Sequence, residues 1–253
     1  MYALKLVNLK KSFGNTLITR GVNLEVPYGK MTVIIGRSGE GKSVLLKQAI
    51  GLLEPTEGSI FIDGIDISTL NEKDRDQKFK QFGYVFQFAA LLDSLNVLEN
   101  VGITLIEQGM DINAVIPIVK EKLRLVNLSE DNLYKYPSEL SGGMKKRVGL
   151  ARTLVTNPTI ILYDEPTTGL DPITSRVIHD LMGRMQKELN LTSIIISHDV
   201  EIFKYADFVA FLHEGRIQYF GPAATIWESD NPYIYQFIRG LPNGPIRTEA
   251  STE

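Results

Sequence analysis

Met31-Thr32-Val33-Ile34-Ile35-Gly36-Arg37-Ser38-Gly39-Glu40-Gly41-Lys42-Ser43-Val44-Leu45-Leu46-Lys47-Gln48-Ala49-Ile50 runs from an apolar stretch through a glycine-punctuated loop into a helical pattern. The apolar stretch is rich in β-branched residues and suits a buried strand. Gly36, Gly39 and Gly41 let the backbone turn so that successive N–H groups point inward around an anion. A helix starting near Lys42 adds the positive end of its dipole. This is the P-loop pattern in its required strand, loop and helix context. Lys42 is placed to bridge β- and γ-phosphates as a point charge, and the Ser43 hydroxyl to ligate Mg²⁺. A glycine-rich turn with an incidental lysine is the plainer reading, and the four fixed positions with both flanking elements argue against it. The segment Gly36 to Val44 is therefore expected to hold the phosphates of a nucleotide.

A second apolar strand ends in acid: Ile160-Ile161-Leu162-Tyr163-Asp164-Glu165. In open α/β sheets ligands bind beyond the carboxyl ends of strands. Asp164 is expected to hold Mg²⁺ and Glu165, one residue further, to polarise an attacking water as general base. The plainer reading, two acids that merely end a strand, fits poorly beside a P-loop. Ser197-His198-Asp199 follows a third such strand, which places His198 beside the γ-phosphate as donor or sensor. Gln87 ends the short apolar run Tyr84-Val85-Phe86, where it can reach Mg²⁺ or the water. His179 and His213 lack a comparable setting and read as structural.

With 253 residues, 43% hydrophobic and 23% charged, the chain is long enough for a full core and ordinary for a globular protein. A net charge of -3 gives no electrostatic reason to expect nucleic acid as a partner. The absence of cysteine excludes disulfides and thiolate metal sites. The start, Met1-Tyr2-Ala3-Leu4-Lys5, lacks the apolar run of a signal peptide, and no stretch reaches membrane-spanning length. A cytoplasmic location is expected, with any membrane role exercised from the surface. Leu4-Leu6-Val7 and Val22-Leu24-Val26 alternate with polar residues and predict antiparallel strands. The continuous apolar runs Thr32–Ile35, Thr159–Leu162 and Ser193–Ile196 predict parallel strands. Between about 88 and 155 the pattern turns helical, with Val115, Val119, Leu123 and Val126 on one face. The basic run Lys145-Lys146-Arg147 reads as a solvated helix start rather than a nucleic-acid patch.

Leu140-Ser141-Gly142-Gly143-Met144, before a helical run over Val148–Val155, forms a second anion site. It combines the Ser141 hydroxyl, exposed backbone at Gly142 and Gly143, and a helix N-terminus. These residues resemble the signature of the ABC (ATP-binding cassette) family, in which the signature of one subunit completes the P-loop site of the other. The resemblance spans nearly the whole chain, with every motif in family order. It implies an α/β fold: a P-loop NTPase cassette with a RecA-like core, an antiparallel β subdomain and an inserted α-helical subdomain. By the resemblance, Phe13 takes the place of the aromatic that stacks on adenine, Gln87 that of the Q-loop, and Asp171 that of the D-loop. It likewise implies ATP and Mg²⁺ as cofactors, ATP hydrolysis as the reaction, and a homodimer closing on two nucleotides. Met144 departs from the glutamine of many relatives, which Ser141 and the two glycines tolerate. The organisation expected is residues 1–87 as core, β subdomain and P-loop, 88–155 as the helical subdomain, 156–226 as the rest of the core, and 227–253 as a tail.

Phe86-Gln87-Phe88-Ala89-Ala90-Leu91-Leu92, Asn96-Val97-Leu98-Glu99-Asn100-Val101 and the ending Asn231-Pro232-Tyr233-Ile234-Tyr235-Gln236-Phe237-Ile238-Arg239-Gly240 are similar to the Mla/Mce (MlaF-like) lipid-transport ATPases. That narrower resemblance implies a motor on the cytoplasmic face of the inner membrane, bound to a multi-pass MlaE-like permease and moving phospholipid. An Mce-domain lipid-binding protein belongs to such complexes, and a small STAS-domain protein to some. Three rivals stand beside this reading. One is a motor for another cargo, which shares all the catalytic motifs. Another is a non-transport ABC protein, which is expected to carry a second cassette, a coiled coil, zinc cysteines or a basic face. The third, a regulatory module without turnover, is opposed by Glu165 and His198. The apolar tail residues Tyr233, Tyr235, Phe237 and Ile238 are expected to dock, either on their own subunit or across a dimer.

Overall fold

The computed structural model describes residues 1–247; the last part of the tail expected over 227–253 lies outside the described residues. The chain divides into two compact units, Met1–Phe79 with Thr192–Glu253, and Lys80–Leu191.

In the first unit, strands β1 (Tyr2–Phe13) and β2 (Thr16–Pro27) form the antiparallel pair expected from alternation. Their inward residues Leu4, Leu6, Leu9, Val22, Leu24 and Val26 are all buried. Strand β3 (Met31–Ile35) is buried at every residue, and the helix after the loop, α1, spans Lys42–Ala49. Strand β4 (Glu57–Ile62) joins β1 antiparallel, β5 (Ile65–Asp66) pairs β4, and α2 (Glu72–Phe79) closes the segment without a buried residue.

The second unit opens with β6 (Phe82–Val85) and continues through α3 (Val97–Glu107), α4 (Ile112–Leu125) and α5 (Gly142–Leu154). Strand β7 (Ile160–Asp164) runs parallel to β6, and α6 (Pro172–Glu188) follows. Each helix start carries its chemical cap. Asn96 and Glu99 form a reciprocal capping box on α3, Asp111 caps α4, Ser141 caps α5, and Asp171 caps α6 with Pro172 behind it. Val115, Val119, Leu123 and Val126 are fully buried, so the spacing of four, four and three did mark the core face of α4. Asn100 is the polar knot of this unit. Its side chain accepts from Leu92 N at 2.8 Å and donates to the carbonyls of Leu92, Leu95 and Asn96 at 3.0, 2.8 and 3.0 Å.

The chain returns to the first unit with β8 (Thr192–Ile196), β9 (Phe208–His213) and β10 (Arg216–Pro222). Here β3 runs parallel to β8, as the apolar runs predict, and also to β9 on its other side, a strand the sequence reading did not name; β10 closes the edge as a hairpin. Helix α7 (Pro232–Ile238) then packs back, with Phe237 edge-on to Phe211 at 5.1 Å. Gln236, 4% exposed, donates to Ile246 O at 3.0 Å and accepts from Ile246 N at 2.7 Å. The tail therefore docks on its own chain as far as Arg247.

Candidate functional site

In the first unit, β3 delivers the loop Gly36 to Gly41 at its carboxyl end. Gly36 has φ of 154°, and a Cβ there would lie 2.2 Å from the Leu212 carbonyl oxygen. Gly41 has φ of 92°, and a Cβ would lie 2.7 Å from an Ile18 methyl. Neither position admits a side chain, so the loop backbone stays open to close approach, as an anion-binding loop requires. Lys42 is 5% exposed and donates to the carbonyls of Gly36 and Arg37 at 2.8 and 2.7 Å. Those bonds bend the loop around its own ammonium. Ser43 and Val44 continue into the first turn of α1, with Ser38 and Gly39 at the loop's crown.

Three further contacts fix this loop, and the sequence reading missed them. Glu40 Oε1 lies 2.9 Å from His213 Nδ1, and Glu40 Oε2 accepts from the Glu214 backbone N–H at 2.5 Å. Arg37 donates to the Arg247 carbonyl at 2.7 Å. His213 ends β9 as His198 follows β8, so strand position was a signal available for both. His198 itself is exposed beyond β8, preceded by buried Ser197. Phe13 ends β1 with half its surface open, and the Lys11 ammonium sits 5.3 Å from its ring centre. An exposed aromatic face suits stacking on a flat base.

In the second unit, β7 carries Asp164 and Glu165 to its carboxyl end, as expected. Tyr84 on β6 donates its phenol to Asp164 Oδ2 at 2.8 Å. Burial, together with that carboxylate, holds the Tyr84 phenol above its ordinary range, so it stays a donor. Glu165 adopts φ of 48°, a left-handed conformation costly for a side-chain-bearing residue. Its Oε2 accepts from the Gln87 amide at 3.1 Å and from the Thr168 hydroxyl at 3.0 Å. Gln87 and Glu165, far apart in sequence, are thus direct partners.

The signature segment caps α5: Ser141 Oγ accepts from Met144 N at 3.3 Å. A Cβ on Gly143 would lie 2.7 Å from a Thr174 methyl, so the signature turn sits directly against the start of α6. Asp171 accepts there from the backbone N–H groups of Ile173 and Thr174 at 3.0 and 2.9 Å, and from the Thr174 hydroxyl at 2.5 Å. The Thr174 hydroxyl and backbone bonds hold the Asp171 carboxyl below its usual range. Gly142 stays nearly unobstructed, its nearest neighbour a Leu170 methyl at 3.4 Å.

One expectation fails. Lys146 is not part of a solvated helix start: it is 7% exposed, and its ammonium donates to the Gln87 carbonyl. The run of three basic residues looks uniform in sequence, but the segment after β6 folds over α5 and covers the middle one.

A glycine-lined phosphate loop on one parallel strand and paired carboxylates at the end of another define a P-loop nucleotide hydrolase. The family model described as ABC transporter matches residues 19–168, more than half of the chain. The probable ribonucleotide transport ATP-binding protein Mkl of Mycobacterium leprae is 42% identical over 246 residues, covering 96% of this chain and 71% of Mkl. The intermembrane phospholipid transport system ATP-binding protein MlaF of Haemophilus influenzae is 38% identical, covering 95% of this chain and 91% of MlaF. The dimeric, post-hydrolysis ATP-binding cassette MJ0796 bound to ADP and Pi superposes with a TM-score of 0.77 at 32% identity, over 87% of this chain and 98% of that one. The chain belongs to the ABC transporter ATP-binding family. It is an ATPase whose hydrolysis of ATP is coupled to transport.

Proposed function

We propose that the chain is the motor of a phospholipid-transport complex, working as a homodimer from the cytoplasmic face of the inner membrane. The observation that supports this cargo most is the likeness to MlaF, which extends over 95% of this chain and 91% of the relative. Mkl carries a ribonucleotide-transport name, so a motor for another cargo is the second reading. Among the described residues no helix is long and apolar enough to cross a membrane, so the path for cargo belongs to a partner. An MlaE-like permease is that partner in this reading, with an Mce-domain protein beyond it and a STAS-domain protein on the helical segment as a further candidate.

The second unit offers the permease a place to bind. A cavity of about 370 Å³ is lined by residues that include Phe82, Tyr84, Phe86, Ala90, Ile103 and Arg152. Phe86 and Phe88 beside it are exposed, Phe88 at 77%. The exposed rings of Phe86 and Phe88, on either side of Gln87 in the chain, let a docked helix act on the group that holds Glu165.

In the proposed cycle, Phe13 stacks on adenine, and Gly36, Arg37, Ser38, Gly39, Glu40, Gly41, Lys42, Ser43 and Val44 hold the phosphates. Ser141, Gly142, Gly143 and Met144 approach the γ-phosphate bound by the other subunit, with Asp171 at the seam. The donor set Ser43, Gln87 and Asp164 is all oxygen, which fits Mg²⁺; bound there, the ion would neutralise charge on the phosphates. Glu165 takes a proton from water as the water oxygen bonds to γ-phosphorus and the bond to the β-phosphate oxygen breaks. His198 donates to the γ-phosphate. Loss of that shared anion removes what the two subunits hold in common, and the interface opens.

The test is a pull-down of tagged Glu165→Gln protein from native membranes, with mass spectrometry of proteins and lipids. Recovery of an MlaE-like permease, an Mce-domain protein and phospholipid supports the proposal. A different permease without lipid leaves the ABC motor and discards the cargo, and absence of any membrane partner discards the permease as well.

A further inference from the structure

Helix α5 carries a second function along one face. Lys146, Gly149 and Thr153 lie three and four residues apart and so share that face, with Arg152 beside them. Together they grip the end of β6 and the segment that follows it. Lys146 donates to the Gln87 carbonyl, and Arg152 donates to the carbonyls of Ala89 and Ala90 at 2.7 Å each. Thr153 donates to the Tyr84 carbonyl at 3.1 Å. Gly149 makes room: a Cβ there would lie 3.3 Å from both the Ala89 Cβ and the Ala89 carbonyl oxygen. Ala89 and Ala90 have φ of 58° and 48°, two consecutive left-handed residues of the kind that persist when their surroundings hold them.

We infer that Lys146 is a positioning residue for hydrolysis: from the helix headed by the signature, it fixes Gln87, and Gln87 fixes the general base Glu165 of the same chain. This rests on the proposed roles of Ser141 and Glu165. The same helix begins at Gly142, where the signature is proposed to meet the partner subunit's nucleotide. A nucleotide that draws on the head of α5 therefore pulls the Lys146 anchor under Gln87, so binding in one site adjusts water activation in the other. Lys146 is suited to this. Its buried ammonium donates to the Gln87 carbonyl, and a charged donor to a carbonyl makes a stronger bond than a neutral one. A solvated lysine would exert no such hold.

The experiment measures steady-state ATPase activity of the full chain, as Lys146→Met, Lys146→Gln and Lys146→Arg, and of mixed dimers in which one chain is Glu165→Gln. Lys146→Met is expected to lower kcat about tenfold, the scale of a displaced catalytic group, with KM for ATP within about twofold. Its Hill coefficient should fall toward one, and Lys146→Arg should restore most of the rate. In mixed dimers the loss is expected only when Lys146→Met sits on the chain that retains Glu165. Thermal melting and ATP binding accompany each variant; if Lys146→Met melts early, the charge-retaining arginine and donor-retaining glutamine decide. An unchanged kcat, a rise in KM alone, or equal loss from either chain overturns the inference. Turnover by a dimer with Glu165→Gln on both chains overturns the underlying assignment of Glu165 instead, and the inference with it.

Discussion

The two units hold their functional groups in opposite ways. In the first, the phosphate loop is tied to backbone or to a fixed side chain at Gly36, Glu40 and Lys42. Lys42 bonds two loop carbonyls, Gly36 is wedged on Leu212, and Glu40 is bound by His213 and the Glu214 N–H. In the second, the hydrolytic groups are bonded to one another: Glu165 to Gln87 and Thr168, Asp164 to Tyr84, Gln87 to Lys146. Glu165, Ala89 and Ala90 hold left-handed backbone on that side, as Asn8, Asp63 and Glu214 do in the first unit. Binding gains from a cradle that costs no reorganisation, since rigid donors pay their ordering before the ligand arrives. In the proposed cycle hydrolysis waits for closure, and its groups rest on partners they can exchange.

The sharpest way to break that contrast is to remove one group from each side. Glu165→Gln is expected to lower kcat by roughly 10²–10⁴-fold, the range a positioned general base supplies, while ATP affinity changes little. Lys42→Ala should instead abolish measurable ATP binding by calorimetry, because a buried phosphate donor is lost. If Glu165→Gln weakens ATP binding as much as Lys42→Ala does, the division into a binding unit and a hydrolysing unit is wrong.

Stability separates the units too. Gly36→Ala meets a fixed carbonyl at 2.2 Å, a clash that side-chain rotation cannot relieve. It should cost about 3 kcal/mol or prevent folding, by overpacking together with backbone strain. In the second unit, Asn100→Ala leaves the Leu92 N–H and three carbonyls without their shared partner. A cost of about 2 kcal/mol in urea unfolding is expected. Full stability of either variant would show that the corresponding segment relaxes freely.

What could be read from the sequence follows from how each feature is encoded. Strand β3 and the P-loop are local: adjacent residues specify the strand, the turn and the helix dipole. The core face of α4 is likewise local, written in the spacing of Val115, Val119, Leu123 and Val126. Asp164 and Glu165 were found because a strand end is a local event. The Glu165–Gln87 bond, the cover over Lys146 and the Tyr84–Asp164 pair are not local, since each joins residues brought together only by the parallel pairing of β6 and β7 or the packing of α5 beneath them. Lys145, Lys146 and Arg147 have similar composition, and only the long-range fold makes the middle one different. His213 was passed over because nothing near it in sequence marks Glu40 as its partner.

That last pair supplies the finest test of the comparison. Glu40 and His213 side chains are 13% and 9% exposed, shielded enough for the contact to count. Tyr233 of α7 lies 5.4 Å from the His213 ring, so the docked tail forms one wall of this contact. If the cradle is pre-organised, loosening it should reduce affinity without touching chemistry. Glu40→Gln is expected to keep a hydrogen bond to the Glu214 N–H and lose the charge toward His213, raising the dissociation constant for ATP about threefold. That corresponds to about 0.7 kcal/mol, at constant kcat. His213→Ala should do slightly more, because it also empties the space beside Tyr233. A fall in kcat without a change in affinity would mean that this loop, too, moves during turnover, and that the first unit is less fixed than its hydrogen bonds imply.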